Sequence, residues 1–190
     1  MKRYIPILVT TVALVSACGQ RQASEATTTE TTSAAQSTGT GTTVTLTHEE
    51  REFMNKAALG GIYEIELGSQ VQQKATNPEV RAFAESMVRD HTKLNDELKQ
   101  LAAKKGFNVP TQLDHDHRED MDEILTRSGA ELDKKYIDEM VDDHEDDVDE
   151  FRDAVDEAKD PEIRAWAEKT LRILEGHLVK AKELKERLGA

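Results

Sequence analysis

Three of the six histidines fall on the apolar face of a helical pattern, with apolar residues three and four positions away on either side. They are His91, His144 and His177. A fourth residue, Glu64, is the one ionisable residue on the apolar face of an earlier helical segment. Imidazole and carboxylate groups are typical ligands of zinc, iron, manganese and copper ions. We therefore predict that these four residues bind one divalent metal ion, and their types leave the choice among those four metals open.

The same four residues also fit a metal-free interpretation. Buried ionisable groups need partners, and three imidazoles with one carboxylate can hydrogen-bond to one another as a neutral network that fixes the register of the helices. Two function classes therefore stay open. One is a metal-binding protein, and the other is a structural or interaction module that holds no metal.

Counting residues from the helix starts shows that the four side chains can meet. Glu64 and His91 lie fourteen and thirteen residues from the proline that starts the second long helix, which is about 20 Å at 1.5 Å per residue. His144 and His177 lie about 25 Å from the later proline by the same count. In helices about 42 Å long these levels coincide if the two turns lie at opposite ends. They differ by about one helical turn if the two turns lie at the same end.

Side chains near the histidines supply further candidates. Asp90 and Asp143 each directly precede a core histidine, and we predict that they hydrogen-bond to the histidines and orient the rings. Met87 and Met140 each precede a core histidine by four residues, and they fit either thioether ligands for copper or simple core filling. Seven acidic residues between positions 142 and 150 indicate a solvated face, with weak binding of divalent cations as the alternative.

A repeated helix start organises the elements that carry these residues. The segment Asn77–Glu85 (NPEVRAFAE) returns as Asp160–Glu168 (DPEIRAWAE), with six of nine positions identical. In each copy Asn or Asp fits the N-cap, and proline fits the first helical position, where its missing N–H costs nothing. A long helical pattern precedes and follows each copy. The sequence therefore predicts two helical hairpins, which together make four long helices.

The predicted long helices cover residues 47–75, 78–105, 128–158 and 161–188, with capping boxes at Thr47 and Ser128. A shorter amphipathic helix is predicted at residues 113–126, in the long connection between the hairpins. Two short turns and one long connection are typical of a four-helix bundle with a crossover. The predicted fold class is therefore all-α, with residues 47–190 as the bundle domain.

The first 46 residues have the pattern of an export signal followed by a tether. Residues 1–17 combine a positive start with an apolar stretch too short to span a bilayer. Val15–Cys18 resembles the lipobox of bacterial lipoproteins, in which the cysteine is lipidated, and an ordinary cleaved signal is the alternative. Residues 18–46, rich in Thr and Ser, are predicted to be a disordered tether. Gly19 resembles an outer-membrane sorting pattern, so we expect a lipid anchor at Cys18 on the periplasmic face of the outer membrane.

Composition and charge exclude several function classes. The formal net charge of −13 argues against nucleic acid as a partner, because phosphate binding requires a basic patch. The only cysteine is Cys18, which excludes thiol catalysis, cysteine-ligated zinc and an internal disulfide from the bundle. The sequence contains no nucleophile elbow, phosphate-binding loop or dinucleotide fingerprint. The sequence therefore names no reaction, and catalysis is a third function class, less favoured than metal binding or a structural role.

Residues 48–188 resemble a family of exported bacterial proteins catalogued as domain of unknown function 4142. The resemblance rests on a set of short motifs: Glu64–Gly68, Asn77-Pro78 with Arg81–Phe83, Met87-Val88 with Asp90-His91, Asp143-His144, Asp160–Glu162, and Lys169–Leu171 with His177. It implies a ferritin-like four-helix bundle and supplies no established activity. Ferritin-like di-iron proteins carry Glu-x-x-His motifs. Val88 and Leu174 stand where those glutamates would be, which argues against di-iron oxidation.

Overall fold

The computed structural model describes residues 45–189 of the chain. In this range the chain forms five α-helices and no β-strand. The helices are α1 (His48–Lys74), α2 (Pro78–Lys104), α3 (His115–Leu125), α4 (Gly129–Glu157) and α5 (Pro161–Leu188). The prediction of an all-α bundle with a short extra helix in the long connection is confirmed. The predicted signal, Cys18 and the predicted tether up to residue 44 lie outside the described residues.

The repeated sequence forms the same turn twice. Asn77 and Asp160 cap α2 and α5, and each side-chain oxygen accepts hydrogen bonds from two backbone N–H groups of the first helical turn. Four residues later in each repeat, the guanidinium of Arg81 or Arg164 donates to the carbonyl oxygen at the end of the preceding helix. The repeated polar residues therefore satisfy backbone groups that a tight helix–helix turn would leave unpaired.

Each hairpin also closes the turn of the other hairpin. Glu50, in the first turn of α1, accepts hydrogen bonds from the backbone N–H groups of Lys159 at 2.8 Å and Asp160 at 2.6 Å. Asp133, near the start of α4, accepts hydrogen bonds from the backbone N–H groups of Thr76 and of the residue after it. Each turn thus lies beside the start of the other hairpin. The two turns therefore lie at opposite ends of the bundle, which decides the topology that the sequence left open.

Two apolar clusters fill the two ends of the bundle. The cluster at the α1–α2 turn includes Phe83, Met87 and Tyr136, and the cluster at the α4–α5 turn includes Phe53, Phe151 and Trp166. Trp166 is 9% exposed, and its ring centroid lies 5.5 Å from that of Phe151. A buried polar layer separates the clusters, formed by Glu64, His91, His144 and His177. The predicted candidate residues therefore share the middle level of the bundle.

Glycines let α1 approach α2 closely in this middle region. A methyl group at Gly61 would lie 2.8 Å from Oδ1 of Asn95, and one at Gly68 would lie 3.1 Å from a methyl of Val88. Both distances are tighter than ordinary van der Waals contact. Each of these glycines costs α1 about 1 kcal/mol of helix stability relative to alanine. The missing side chains let the two helices pack closely.

Two local expectations differ from the structure. Ser128 stands at the N-cap of α4 but makes no capping hydrogen bond, and Gly129, the first residue of the helix, has a left-handed φ of 60°. Leu46 of the predicted tether is 6% exposed and packs in the cluster at the α4–α5 turn, so the packed fold includes residue 46. None of the helices in residues 45–189 is long and apolar enough to cross a membrane.

Candidate metal centre

Three helices bring the three core histidines together at the middle of the bundle. His91 comes from α2, His144 from α4 and His177 from α5, and their ring centroids lie 5.3–5.7 Å apart. One nitrogen of each ring lies within 4.8 Å of one nitrogen of the other two. The three residues are 4%, 0% and 8% exposed, respectively. The spacing of three and four residues in the sequence correctly placed each histidine on the inner face of its helix.

Each imidazole has one nitrogen close to a carboxylate oxygen. Nε2 of His177 lies 3.2 Å from Oδ2 of Asp90. Glu64 serves the other two rings, with Oε2 at 2.6 Å from Nδ1 of His91 and Oε1 at 3.3 Å from Nδ1 of His144. The opposite ring nitrogens face no carboxylate and are therefore available to bind a metal ion. They are Nδ1 of His177, Nε2 of His91 and Nε2 of His144. A carboxylate behind a histidine is the usual arrangement around protein-bound metals.

The two available nitrogens of His144 and His177 are already spaced as metal ligands are. Nε2 of His144 lies 3.4 Å from Nδ1 of His177. Zinc–nitrogen bonds of 2.0–2.1 Å at a tetrahedral angle place two ligand nitrogens about 3.3 Å apart. The available nitrogen of His91, Nε2, is buried and has no hydrogen-bond partner in residues 45–189. The three histidines therefore fit a metal ion, with His91 completing the set.

Glu64 is almost completely buried, but its carboxyl group lacks the hydrogen bonds that normally accompany such burial. It is 1% exposed, and neither carboxylate oxygen has an aligned hydrogen bond from a described residue. Its two contacts with imidazole nitrogens are short, but they lie off the hydrogen-bonding direction. A buried carboxylate without aligned donors is costly. Glu64 was predicted as a ligand, and the structure places it against the Nδ1 atoms of two rings rather than with the three available nitrogens.

Burial controls the protonation of this layer. It lowers the pKa of His91 and that of His177 to about 4, and it lowers the pKa of His144 well below its ordinary value. Burial also raises the pKa of Glu64 well above its ordinary value. At neutral pH the three imidazoles are therefore neutral, and neutral imidazole is the form that binds metals.

The two aspartates that precede core histidines occupy different places. Asp90 contacts His177 across the bundle rather than its neighbour His91, and Arg89 holds both oxygens of its carboxylate at 2.9 Å. Burial alone would raise the pKa of Asp90, but the hydrogen bonds from Arg89 and His177 lower it. In the described part of the chain, Asp143 makes no hydrogen bond to any histidine. It instead faces α1 and α3, because one residue before His144 is about 100° around the helix.

Asp143 belongs to an acidic pocket between α1, α3 and α4, with a volume of about 320 Å³. Burial and the charge of Glu64 raise the pKa of Asp143 to about 9 and that of Asp147 to about 8. Asp147 was interpreted only as part of a solvated acidic face. The repeat could have indicated that Asp147 faces inward, because the offset from Asn77 to Asp160 also relates the buried Glu64 to Asp147. The pocket therefore places two equivalent carboxylates of the two hairpins on one face of the bundle.

Other side chains of a type that can bind metals have different roles in the fold. Met87 and Met140 are fully buried in the apolar cluster at the α1–α2 turn. His117 lies on α3, where its Nδ1 is 2.7 Å from Oδ1 of Asp114, the N-cap of that helix. The structure therefore assigns the two methionines to core packing and His117 to the start of α3.

Comparison with solved structures shows which proteins share this fold. A DUF305 fragment from Deinococcus radiodurans superposes with a TM-score of 0.67 at 13% identity, covering 76% of this chain and 99% of the other. A DUF305 protein of Streptomyces coelicolor, described as secreted, gives 0.65 at 13% identity, covering 75% and 94%. CopM in its Cu(II)-bound form gives 0.62 at 19% identity, covering 73% and 96%. At these identities the likeness concerns the fold alone.

Sequence comparison identifies the family. No curated protein matches the sequence. The family described as Domain of unknown function (DUF4142) matches residues 21–184, which include the whole of α1 to α4 and most of α5. The resemblance inferred from the short motifs is therefore confirmed, and the chain belongs to the DUF4142 family.

Proposed function

We propose that this protein binds one transition-metal ion through His91, His144 and His177. The observation that carries the proposal is that each buried imidazole has one nitrogen beside a carboxylate, while one nitrogen of each ring lies within 4.8 Å of one nitrogen of the other two. At His177 the hydrogen bond to Asp90 fixes the orientation of the ring and raises the basicity of the nitrogen that remains available. Glu64 lies beside two of the ligand rings in this proposal and is not itself a ligand of the bound ion.

Copper is the first candidate for the ion, and zinc is the second. Three neutral imidazoles suit both metals, and divalent copper binds a given set of nitrogen ligands more tightly than zinc, iron or manganese. Manganese prefers carboxylate and water oxygens, which the three available nitrogens do not supply. CopM, a protein of the same fold, has been solved in a Cu(II)-bound form, which supports the proposal for copper without carrying over its ligands.

We propose binding rather than catalysis at this centre. Catalytic metal sites keep an open position for water or substrate. The three histidines are at most 8% exposed, and the small cavity beside His91 has a volume of about 20 Å³, which is room for about one water molecule. A site with so little room fits retention of the ion.

Thermal unfolding with and without metal tests the proposal. We expect Cu²⁺ or Zn²⁺ to raise the unfolding temperature of the chain from residue 19 onward, because only the folded state brings the ligands together. His144→Ala removes that increase, whereas His115→Ala on the surface of α3 retains it. If neither metal moves the unfolding temperature of the wild type, the proposal is wrong.

The metal-free alternative makes the opposite forecast. The contacts run continuously from Asp90 through His177, His144 and Glu64 to His91, as a neutral network would. Under this alternative, metals leave the unfolding temperature unchanged, and replacing any member of the network destabilises the protein. The protein would then be a structural or interaction module of the cell envelope.

We further propose that the chain is exported and attached to a membrane by lipidation of Cys18. The support is the signal-like pattern of residues 1–17 and the resemblance of Val15–Cys18 to a lipobox. Several acyl chains give stable anchoring, since each buried CH₂ contributes about 0.8 kcal/mol. A fatty-acid analogue fed to growing cells should label the wild type and not Cys18→Ala. Equal labelling of the two would rule out the anchor, and cell fractionation tests the expected outer-membrane location.

A further inference from the structure

The acidic pocket is a deep opening on the face formed by α1, α3 and α4. Its walls include Gly60, Tyr63 and Glu64 from α1, His117 from α3, and Asp143 and Asp147 from α4. Seven carboxyl side chains line the pocket against one lysine, Lys56, whose Nζ lies 4.0 Å from Glu150 at the rim. The pocket therefore offers many carboxyl oxygens, the atoms that hydrated cations prefer as ligands.

A second space lies beside both the acidic pocket and one of the three histidines. This inner cavity, of about 20 Å³, is lined by Glu64 and Asp147, as the acidic pocket is, and also by His91. Two carboxylates thus stand between a solvent-facing opening and one of the three imidazoles. The inner cavity has room for about one water molecule, or for an ion of similar size.

Glu64 distinguishes this pocket from an ordinary acidic surface. It is 99% buried, it lines the acidic pocket, and neither of its oxygens has an aligned donor among the described residues. Asp143 adds a second buried oxygen, Oδ2, that is likewise unpartnered in residues 45–189. Unpaired buried carboxylate oxygens along one opening are the groups that a passing cation would satisfy.

Gly60 is placed where a side chain would narrow the acidic pocket. Its neighbour Gly61 and the later Gly68 both face a helix at 2.8–3.1 Å, so their lack of a side chain is explained by packing. A methyl group at Gly60 would find only Oδ1 of Asp147, at 4.0 Å, among the described atoms. Close packing therefore does not require this mid-helix glycine, although glycine costs about 1 kcal/mol there relative to alanine.

We propose that the acidic pocket is the path by which the metal ion reaches the histidines, with Asp143 and Asp147 as its first, weakly binding contacts. This inference rests on the proposed metal-binding function. Hydrated cations collect at the carboxylates, pass Gly60, and exchange water for Glu64 and then for His91 as they move inward.

Stopped-flow mixing with Cu²⁺ alone tests the path. Trp166 is the only tryptophan of the chain and lines the inner cavity, so quenching of its fluorescence reports arrival of the ion. We expect Asp143→Asn/Asp147→Asn to associate with Cu²⁺ at least tenfold more slowly than the wild type, because amide groups cannot replace the carboxyl oxygens as contacts for the ion. The control Glu85→Gln/Asp96→Asn removes two exposed charges from α2 and should keep the wild-type rate.

A second pair of variants tests the path by the size of a side chain rather than by loss of carboxyl oxygens. Gly60→Leu should fill the pocket and slow both association and release at least tenfold, so that affinity changes much less than either rate. Gly176→Leu is the matched control, because Gly176 is a helical glycine of α5 with no described atom within 4 Å of an added methyl. Circular dichroism of each variant establishes that it is folded.

The outcomes separate this inference from the function on which it rests. If the wild type binds Cu²⁺ through His144, but both the aspartate and the Gly60 variants bind at the wild-type rate, the path is wrong and the metal site stands. If the wild type shows no binding of Cu²⁺ or Zn²⁺, both proposals fall. Slower binding in the two path variants alone supports the path.

Discussion

The carboxylate of Asp90 on α2 lies 3.2 Å from Nε2 of His177 on α5. Arg89 holds both oxygens of this carboxylate at 2.9 Å, so Asp90 stays charged and fixed in position. An ionised acceptor at Nε2 keeps the proton on that nitrogen and leaves Nδ1 as the basic nitrogen of the ring. Nδ1 is the atom that faces His144. Asp90, which is partly exposed, therefore determines which nitrogen of His177 is free to bind a metal ion.

The first prediction concerns this positioning contact. Asp90→Ala should weaken Cu²⁺ or Zn²⁺ affinity by about 10- to 100-fold, because His177 loses the partner that fixes its proton and its ring orientation. Competition against a chelator of known affinity measures the change. Asp96→Ala, an exposed aspartate of the same helix, is the control and should bind normally. Equal affinity in the two variants would show that Asp90 does not orient His177.

The second prediction concerns the pH dependence of metal binding. Protons compete with the metal only below the pKa of the folded imidazole, and burial has lowered that pKa to about 4 for His91 and His177. Affinity should therefore fall less than about threefold between pH 7.5 and 5.5. Each histidine of ordinary pKa, about 6.5, would cost about tenfold at pH 5.5. A steep loss across this interval would mean that the ligands are solvated histidines.

The third prediction concerns Asp143, whose pKa is raised to about 9 by burial and by nearby carboxylates. In the unfolded chain it ionises near pH 3.9, so the folded state binds more protons between these values and loses stability as pH rises. Asp143→Asn should therefore stabilise the protein by roughly 1–3 kcal/mol at pH 8 and by almost nothing below pH 4. Urea unfolding at several pH values measures this difference. Asp142→Asn, the exposed neighbour, should show no such trend.

The fourth prediction concerns the contact between the two hairpins at Glu50. Glu50→Ala leaves the backbone N–H groups of Lys159 and Asp160 without their acceptor and also breaks the capping box with Thr47. We expect a loss of about 3 kcal/mol or more, since buried donors left unpaired cost about 1–3 kcal/mol each. Glu49→Ala, one residue earlier and exposed, should cost less than about 1 kcal/mol. Denaturant unfolding of both variants provides the comparison.

The fifth prediction concerns Trp166, which packs against Phe53 and Phe151 at ring-centroid distances of 5.9 and 5.5 Å. Trp166→Ala should cost roughly 3–5 kcal/mol through lost burial and the cavity that remains. Trp166→Phe should cost much less, because the indole N–H has no partner in the described residues and phenylalanine keeps an aromatic ring in place. Equal losses of stability in the two variants would show that a phenyl ring at this position does not replace the packing of the indole.

The sequence predicted the placement of the histidines because helical spacing and distance from a turn are both countable. Spacings of three and four residues identified the inner faces, and counting from the two prolines identified the level. The sequence could not predict which nitrogen of each ring would be available. That choice depends on a carboxylate from another helix, such as Asp90 for His177, and on side-chain torsions that no spacing determines.

The sequence analysis did not predict that Glu50 and Asp133 accept hydrogen bonds from the backbone of the hairpin turns, although the repeat contained a signal for both residues. The offset that relates Asn77 to Asp160 also relates Glu50 to Asp133 and Glu64 to Asp147. Applying it beyond the nine-residue repeat would have identified these pairs as equivalent acidic positions. The position of Asp143 was missed for a different reason, since adjacent residues on a helix face directions about 100° apart.

The equivalence of the two hairpins also bears on how such a centre could arise. The ends of the bundle obey the two-fold relationship, but the histidines do not: His91, His144 and His177 correspond to Leu174, Gly61 and Leu94. In a dimer of identical hairpins, every substitution enters the core twice, and each new histidine would have to fit two places at once. Joining the hairpins in one chain removes that constraint. Gene duplication and fusion would thus allow a symmetric scaffold to acquire a ligand set that symmetry itself forbids.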